Sequence, residues 1–537
     1  MLRNFLSKIE EYPLTLTSWL AAFSAIIALR LLGENLMGGF SDKSLAFFIG
    51  SSLVTFLFFA LSYLLMLIFL VFWLKEDLKK VANVFLWGFF LVIFPPIIDK
   101  IWCGQSFCWS FYVFDSLKGI GWRFLTFFGN NASLGITYGV RVEVALATAF
   151  IIIYAYIKQK KAIKAFLAGL MTYIILFILG SFPSWLSYLY YLPQKSVFSV
   201  ENFDIAGIFL TPATLFSIAE TDFVNALNVK MNLIYACLLV FLIIFFFWLH
   251  FREKFWPVVK NIRWVQVFIH GGLIATGAGL GAFYFPENIT ADVFSFLALS
   301  NLVLAAVFAW VASVFPNDIA DFEIDKETNK KRPLVTGEVS KKEYEQLFWI
   351  FFAISLALAL TVGVKFFLIV FIYQIIGWIY SCRPFRLKRF PLVAGFLSAL
   401  NLTLLFSSGF MLLADGQNIA HLPHQVFWLL IIAFLISLPI KDLKDIEGDR
   451  ANGVWTIPVL LGETWARFAI GLGIFVSYAL SVVWLNAKIL FIPAMVLGAV
   501  SFWILQSKKI SARRVHVWVF GLLFVYVLLM MYLLFWP

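Results

Sequence analysis

Two short acidic runs hold the side chains of this sequence best suited to chemistry. The first is Asn317-Asp318-Ile319-Ala320-Asp321-Phe322-Glu323-Ile324-Asp325; the second is Lys441-Asp442-Leu443-Lys444-Asp445-Ile446-Glu447-Gly448-Asp449. Each carries aspartates at i, i+3 and i+7: Asp318, Asp321 and Asp325 in one, Asp442, Asp445 and Asp449 in the other. On a helix such positions share one face. The positions one turn apart, Asn317/Asp321/Asp325 and Asp445/Asp449, form a further ladder. The matched spacing predicts two related helix hairpins whose acidic ends face one another across a cavity. Carboxylates gathered in this way repel, and a hard divalent cation relieves the repulsion. Magnesium takes oxygen ligands, keeps several waters and is commonly held by one or two carboxylates together with substrate phosphates. Neither His nor Cys stands within the two runs, which argues against zinc.

Basic residues complete the pattern. Lys330, Lys331 and Arg332 follow the first run, and Arg383, Arg386, Lys388 and Arg389 lie between the two. Carboxylates for a metal and Lys or Arg for oxyanions make a diphosphate site. Lys331, Arg332, Lys388 and Arg389 are the candidates for that role. An ordinary solvated juncture explains one charged loop; two with the same aspartate spacing call for more.

The elements that must position these residues are membrane helices. Of 537 residues, 62% are hydrophobic and 13% charged, against about 25% charged in a soluble domain. Apolar runs long enough to cross a bilayer recur along the chain, which excludes a water-soluble protein and an outer-membrane barrel. Six are expected at 14–33, 44–74, 82–98, 141–157, 162–182 and 228–250. Nine more follow at 266–286, 292–315, 345–363, 366–381, 392–413, 425–440, 466–485, 488–506 and 514–535. Between the two sets lies a basic segment, 252–265, with Arg252, Lys254, Lys260 and Arg263. It reads as a linker between a membrane domain at 1–251 and another at 266–537. The net charge of +11 is spread over alternate loops, the positive-inside pattern, and puts the N-terminus and both acidic runs on the cytoplasmic side. Topology thus accounts for the basic excess, and nothing points to nucleic acid. Cys103 and Cys108 share a loop on the opposite side, where a disulfide is an open option. His250 and His270 read as interfacial, and His421 and His424 receive no role.

The two runs and the loop between them resemble the UbiA-type prenyltransferase superfamily. The first resembles its Asn-Asp-x-x-Asp-x-x-x-Asp motif, continued by Lys331-Arg332-Pro333-Leu334 and Gly337. The second, running to Arg450 and followed by Thr456-Ile457-Pro458, is similar to its Asp-x-x-Asp-x-Glu-Gly-Asp motif. Tyr380-Ser381 and Pro384, with Arg386, Lys388 and Arg389, resemble its basic loop. The resemblance covers about residues 266–537, and 1–250 lies outside it. It implies an all-α polytopic membrane protein in which a nine-helix bundle is preceded by about six further spans. It implies that Asn317, Asp321, Asp325, Asp445 and Asp449, with Asp318 and Asp442, hold Mg2+ and an isoprenoid diphosphate. Asp321, Asp325, Asp445 and Asp449 would be catalytic, and the prenyl group would pass to a lipid or aromatic acceptor within the membrane. Phe315, Phe322, Tyr373, Trp378 and Tyr380 are candidates to shield an allylic cation, with ordinary packing the plainer explanation of each. Two other readings stay open: cyclisation or hydrolysis of the diphosphate on the same fold, and a transporter whose acidic loops bind cations, to which the intramembrane Arg30, Glu34, Arg141 and Glu143 lend support.

Overall fold

A computed structural model describes residues 2–38, 44–103, 116–129, 136–211, 223–290, 292–451, 453–507 and 509–535. The described residues contain 15 helices long and apolar enough to cross a membrane, and each overlaps one of the spans expected from sequence. The protein is a multi-pass integral membrane protein. The chain divides into two compact units, with the boundary in sequence between Leu249 and His250. The Cys103–Cys108 disulfide left open by the sequence falls outside the described residues, since Cys108 is not among them.

The first unit is built on α1 (Leu16–Gly38), α2 (Leu45–Leu74), α3 (Leu78–Gly88), α4 (Tyr138–Gln159), α5 (Ala162–Gly180) and α6 (Phe223–His250). The third span is interrupted. After α3 a 3₁₀ turn covers Phe89–Ile93, and a helix then restarts at Pro95. A proline has no backbone N–H to donate, so the break falls where Pro95 and Pro96 stand. It frees the Val92 carbonyl, which accepts from Arg30 Nη1 at 2.8 Å. Arg30 also pairs with Glu34 at 3.0 Å and Glu143 at 2.9 Å, and its guanidinium lies over the Phe59 ring. Arg30 and Glu34 stand one helical turn apart and pair, and Glu143 joins them. A cavity of about 90 Å³ adjoins, walled by Phe58, Tyr63, Phe85 and Phe89 among others.

The second unit holds α7 (Trp264–Tyr284), α8 (Val293–Ala320), α9 (Phe322–Thr328), α10 (Lys341–Val362), α11 (Val364–Ser381), α12 (Pro391–Leu413), α13 (His424–Ser437), α14 (Ile446–Ala451), α15 (Ile457–Trp484), α16 (Phe491–Gln506) and α17 (Ala512–Phe535). Nine of these are membrane-spanning; α9 and α14 are short and acidic. The segment read from sequence as a linker carries a helix, Arg252–Asn261, of its own.

Lipid offers no hydrophobic drive for helices to associate, so close approach and buried hydrogen bonds hold such a bundle. The α7–α12 contact shows the first device. A Cβ on Gly277 would stand 2.0 Å from the Phe406 carbonyl oxygen, and one on Gly409 2.1 Å from that of Ile274. Only glycine lets these backbones meet. The second device joins α8, α10 and α11. Asn301 Nδ2 donates to Thr361 Oγ1 at 3.1 Å, and Gln374 Nε2 to Ser355 Oγ at 3.0 Å. His270 on α7 is buried rather than interfacial, contrary to the expectation. Its Nε2 shares a hydrogen bond of 2.9 Å with Tyr373 Oη on α11, its Nδ1 meets the Gln266 carbonyl, and its ring lies against Trp310 on α8.

Candidate functional site

Both acidic runs are helices broken at their middle aspartate. In α8, Pro316 withdraws a donor just before Asn317. The chain then turns at Asp321 (φ −101°, ψ 10°) and restarts as α9. After α13, Pro439 begins a 3₁₀ stretch that ends at Asp445 (φ −114°, ψ 13°), and α14 follows. Two prolines at similar offsets thus produce the same break twice, with an aspartate in the bridge region of backbone space at each. The helical reach survives it, since Asp325 N donates to Asp321 O at 2.8 Å and Asp449 N to Asp445 O at 2.9 Å. α9 packs on α14, so the two runs adjoin.

Within the first run the aspartates do not act as one face; two cations sort them into pairs. Arg332 Nη1 binds both Asp318, at 2.8 Å, and Asp325. Asp318 is 1% exposed and also receives Arg263 Nη2 at 3.0 Å and Asn261 Nδ2 at 2.9 Å. Asp325 further accepts from Asn329 Nδ2 at 3.0 Å. Lys388 Nζ holds the other pair, Asp321 and Asn317, the latter at 3.3 Å. Arg386 Nη2 adds a bond of 3.2 Å to Asp321, and Ser381 Oγ donates to Asn317 Oδ1 at 3.2 Å. The i/i+7 and i/i+4 relations are both real, and they point to different partners.

The second run is compensated far less. Asp445 meets Lys444 only at 3.8 Å with both groups about 40% exposed, so this pair counts for little. Among the described residues Asp442 and Asp449 have no ion-pair partner. Asp449 accepts from Thr456 Oγ1 at 3.5 Å. Lys441 Nζ is turned onto the Tyr380 ring, 5.7 Å from its centroid. Burial, with Asp442 and Asp445 adding to it, pushes the Asp449 carboxyl up to about 7. Burial likewise raises Asp325 to about 6; Arg332 opposes the rise, and Asp318 and Asp321 reinforce it. Burial lowers the Lys388 ammonium against the pull of Asp321.

Of the four basic candidates, Arg332 and Lys388 therefore sit on the carboxylates. Lys331 is exposed, and Arg389 lies over the Phe390 ring. Arg263, Asn261, Ser381 and Arg386 are engaged instead. Arg263 was hidden in the charge of a presumed linker, and Arg386 stood in the basic loop without a distinguishing signal. Of the aromatic candidates, Phe315 packs edge-on against Tyr344 and Tyr373 is held by His270, which are packing roles.

The donor set suits a magnesium ion in part. It is all oxygen, and the charge left uncompensated on the second run is what a hard cation neutralises. Among the described residues, however, no three carboxylates converge tightly enough to cage a metal alone. The arrangement fits an ion completed by water and by the oxygens of a bound anion.

Residues 280–528 match the UbiA prenyltransferase family, which leaves everything before residue 280 uncovered. The digeranylgeranylglyceryl phosphate synthase of Sulfolobus acidocaldarius is 32% identical over 200 residues, covering 36% of this chain and 70% of the relative. That of Methanopyrus kandleri is 30% identical over 31% of this chain and 58% of its own length. The homogentisate phytyltransferase of Synechocystis is 28% identical over 39% of this chain and 72% of its own. Of several other such synthases the chain spans about half the length, as with the 52% matched in Thermococcus kodakarensis. Among solved structures, a UbiA homologue from Archaeoglobus fulgidus bound to GPP and Mg2+ superposes with a TM-score of 0.41 at 23% identity, over 51% of this chain and 99% of that one.

Proposed function

Since the chain belongs to the UbiA prenyltransferase family, we propose that its second unit transfers a prenyl group from an isoprenoid diphosphate to a lipid or aromatic acceptor, with Mg2+ as cofactor. The observation that carries this reading is the pairing of two broken acidic helices, one held by close ion pairs to Arg332, Lys388 and Arg386, the other with only the longer 3.8 Å Lys444–Asp445 pair and cations acting at a distance. In this reading the catalytic domain spans 266–537, and 1–251 forms a separate membrane domain. The N-terminus and both acidic runs face the cytoplasm.

Asp321, Asp325, Asp445 and Asp449, with Asn317 and Asp442, are the residues that would hold the metal. Asp318 is a positioning residue, fixed by Arg263, Arg332 and Asn261. A bound magnesium ion supplies neutralisation of the charge that grows on the departing diphosphate. The chain's own cations do the rest. Lys388 and Arg386 hold Asp321 when no anion is present and can turn their N–H groups to diphosphate oxygens when one arrives. The allylic carbon–oxygen bond then breaks, and the diphosphate leaves with the bonding pair. A nucleophilic oxygen or carbon of the acceptor bonds to the freed carbon and gives up a proton to water or diphosphate. The apolar helices above the site keep water from the cation and accept the prenyl tail.

The test is a membrane assay with labelled prenyl diphosphates of several lengths and a panel of acceptors. Asp321→Ala and Asp445→Ala should abolish turnover in protein that still inserts, and chelation should do the same. Turnover that survives both substitutions and chelation rules the reading out. Release of prenyl alcohol or a cyclic product alone, with every acceptor, would favour hydrolysis or cyclisation.

A further inference from the structure

The cavity of about 90 Å³ lies wholly within the first unit, and two charged side chains, Arg30 and Glu143, share its wall with aromatic rings. Arg30 is 3% exposed, and its hydrogen bonds run through Nε and Nη1, to Glu34, the Val92 carbonyl and Glu143. Among the described residues its Nη2 has no partner, and Glu143 accepts on Oε2 alone. Neither free atom is sealed in protein, and both side chains line the cavity. A donor and an acceptor thus stand open among Phe59, Phe128, Phe150 and other rings. The remaining polar groups of the wall have given their hydrogens elsewhere: Ser62 Oγ donates to the Phe59 carbonyl at 3.2 Å, and Tyr63 Oη to that of Ala82 at 3.1 Å. Gly180, at the end of α5, also lines the cavity. It is buried, yet a Cβ there would meet nothing within 4 Å.

A buried water needs two to four polar partners and takes about 30 Å³. Two free atoms satisfy one water, so most of this space has nothing polar to offer a second or third. It suits a ligand with one polar atom and a hydrocarbon body. The charges then select the polar atom. A carboxylate or phosphate would face Glu34 and Glu143, and an ammonium would face Arg30, where little water screens the repulsion. A hydroxyl meets neither objection. Its oxygen accepts from Arg30 Nη2 while its hydrogen goes to Glu143 Oε1. The volume admits few carbons behind that oxygen, so a branched head is excluded and the rest of the chain must leave. Gly88, Ala147 and Phe150 line the cavity and are only half-buried, and Trp87, Phe90 and Leu146, their neighbours in sequence, are exposed. We propose that the first unit binds the hydroxyl end of a slender, membrane-dissolved primary alcohol in this cavity, the head on Arg30 and Glu143 and the chain leaving between α3 and α4 into hydrocarbon. The proposal stands independently of the transferase reading.

The full chain is placed in phosphatidylcholine nanodiscs and photolabelled with hexadecanol carrying a diazirine near its hydroxyl, and the adducts are located by peptide mass spectrometry. Saturable labelling is expected on the peptides of α2, α3 and α4 that wall the cavity. Unlabelled hexadecanol should displace it, and hexadecane should not. Hexadecyl methyl ether cannot donate to Glu143 and should compete roughly tenfold less well, as expected for loss of a hydrogen bond to a charged group. Glu143→Met leaves Arg30 and Glu34 as a neutral pair and should weaken labelling by a similar factor. Gly180→Leu removes no charge; its side chain enters the open space and should abolish labelling in protein that stays monodisperse with an unchanged or higher unfolding temperature. Labelling that survives both variants overturns the proposal, as does equal competition by hexadecanol and hexadecane. Absence of saturable labelling in wild type means that the cavity holds water only, and the proposal fails.

Discussion

Arg332→Ala gives the sharpest test of how the first acidic run is held. The guanidinium serves two carboxylates at once, Asp318 at 1% and Asp325 at 4% exposure, and is itself 20% exposed. Water screens such an array little, so the discount that applies to surface pairs is small. Removing one partner of a buried pair costs about 3–5 kcal/mol, because the remaining charge is left uncompensated. Asp318 keeps Arg263 and Asn261, so the loss falls mainly on Asp325 and the lower figure, about 3 kcal/mol, applies. This is roughly a hundredfold rise in the unfolded population. The assay is reversible denaturant unfolding of the full chain in mixed micelles, read by protease susceptibility of the second unit. Arg332→Lys keeps the charge but lacks the fork that spans two carboxylates, so it should lie between. Arg332→Ala/Asp325→Asn removes the stranded charge and should recover most of the loss. A single variant within about 0.5 kcal/mol of wild type, or a double variant no better than the single, would refute the reasoning.

Three further outcomes are expected. On the proposed function, protons would compete with the metal at Asp325 and Asp449, raised to about 6 and about 7; affinity for Mg2+ with a non-reactive diphosphate should therefore climb with pH through that interval and level off above it, and a flat titration would contradict this. Gly409→Leu places a side chain where even a Cβ stands 2.1 Å from the Ile274 carbonyl; the variant should lose monodispersity in detergent, whereas Gly416→Leu, with open space around it but a left-handed backbone, should stay folded at a small cost. Arg30→Met removes the cation shared by Glu34 and Glu143 and should destabilise the first unit by about 3–5 kcal/mol, in part recovered by adding Glu143→Gln; unchanged thermal unfolding would show that the triad is not a structural one.

Apolar length makes a membrane span legible, so every span was visible, including the one interrupted near Pro95. The broken helices were not. Pro316 and Pro439 are single residues, and whether a proline kinks, ends or starts a helix depends on what accepts the freed carbonyls. The acidic spacing led to one face, yet helical positions fix only which residues can be neighbours. Arg332, just past the run, and Lys388, from the loop before α12, decide which carboxylates are joined. Arg263 lay in the charged segment read as a linker, and its charge had a sufficient explanation in topology. His270 was misread for a related reason: a histidine near the end of an apolar run looks interfacial until Tyr373 and Trp310 are brought to it by the fold.

The unequal neutralisation of the two acidic runs has a thermodynamic consequence. Asp321 is occupied by Lys388 and Arg386 as long as no anion draws them away. A metal ion arriving alone must displace those cations unaided; one arriving with a diphosphate finds them already recruited to phosphate oxygens. In the proposed function each ligand therefore tightens the binding of the other, and by linkage the factor is the same in both directions. Such an enzyme takes up little free cation when substrate is scarce, and its apparent requirement for magnesium falls as prenyl diphosphate accumulates.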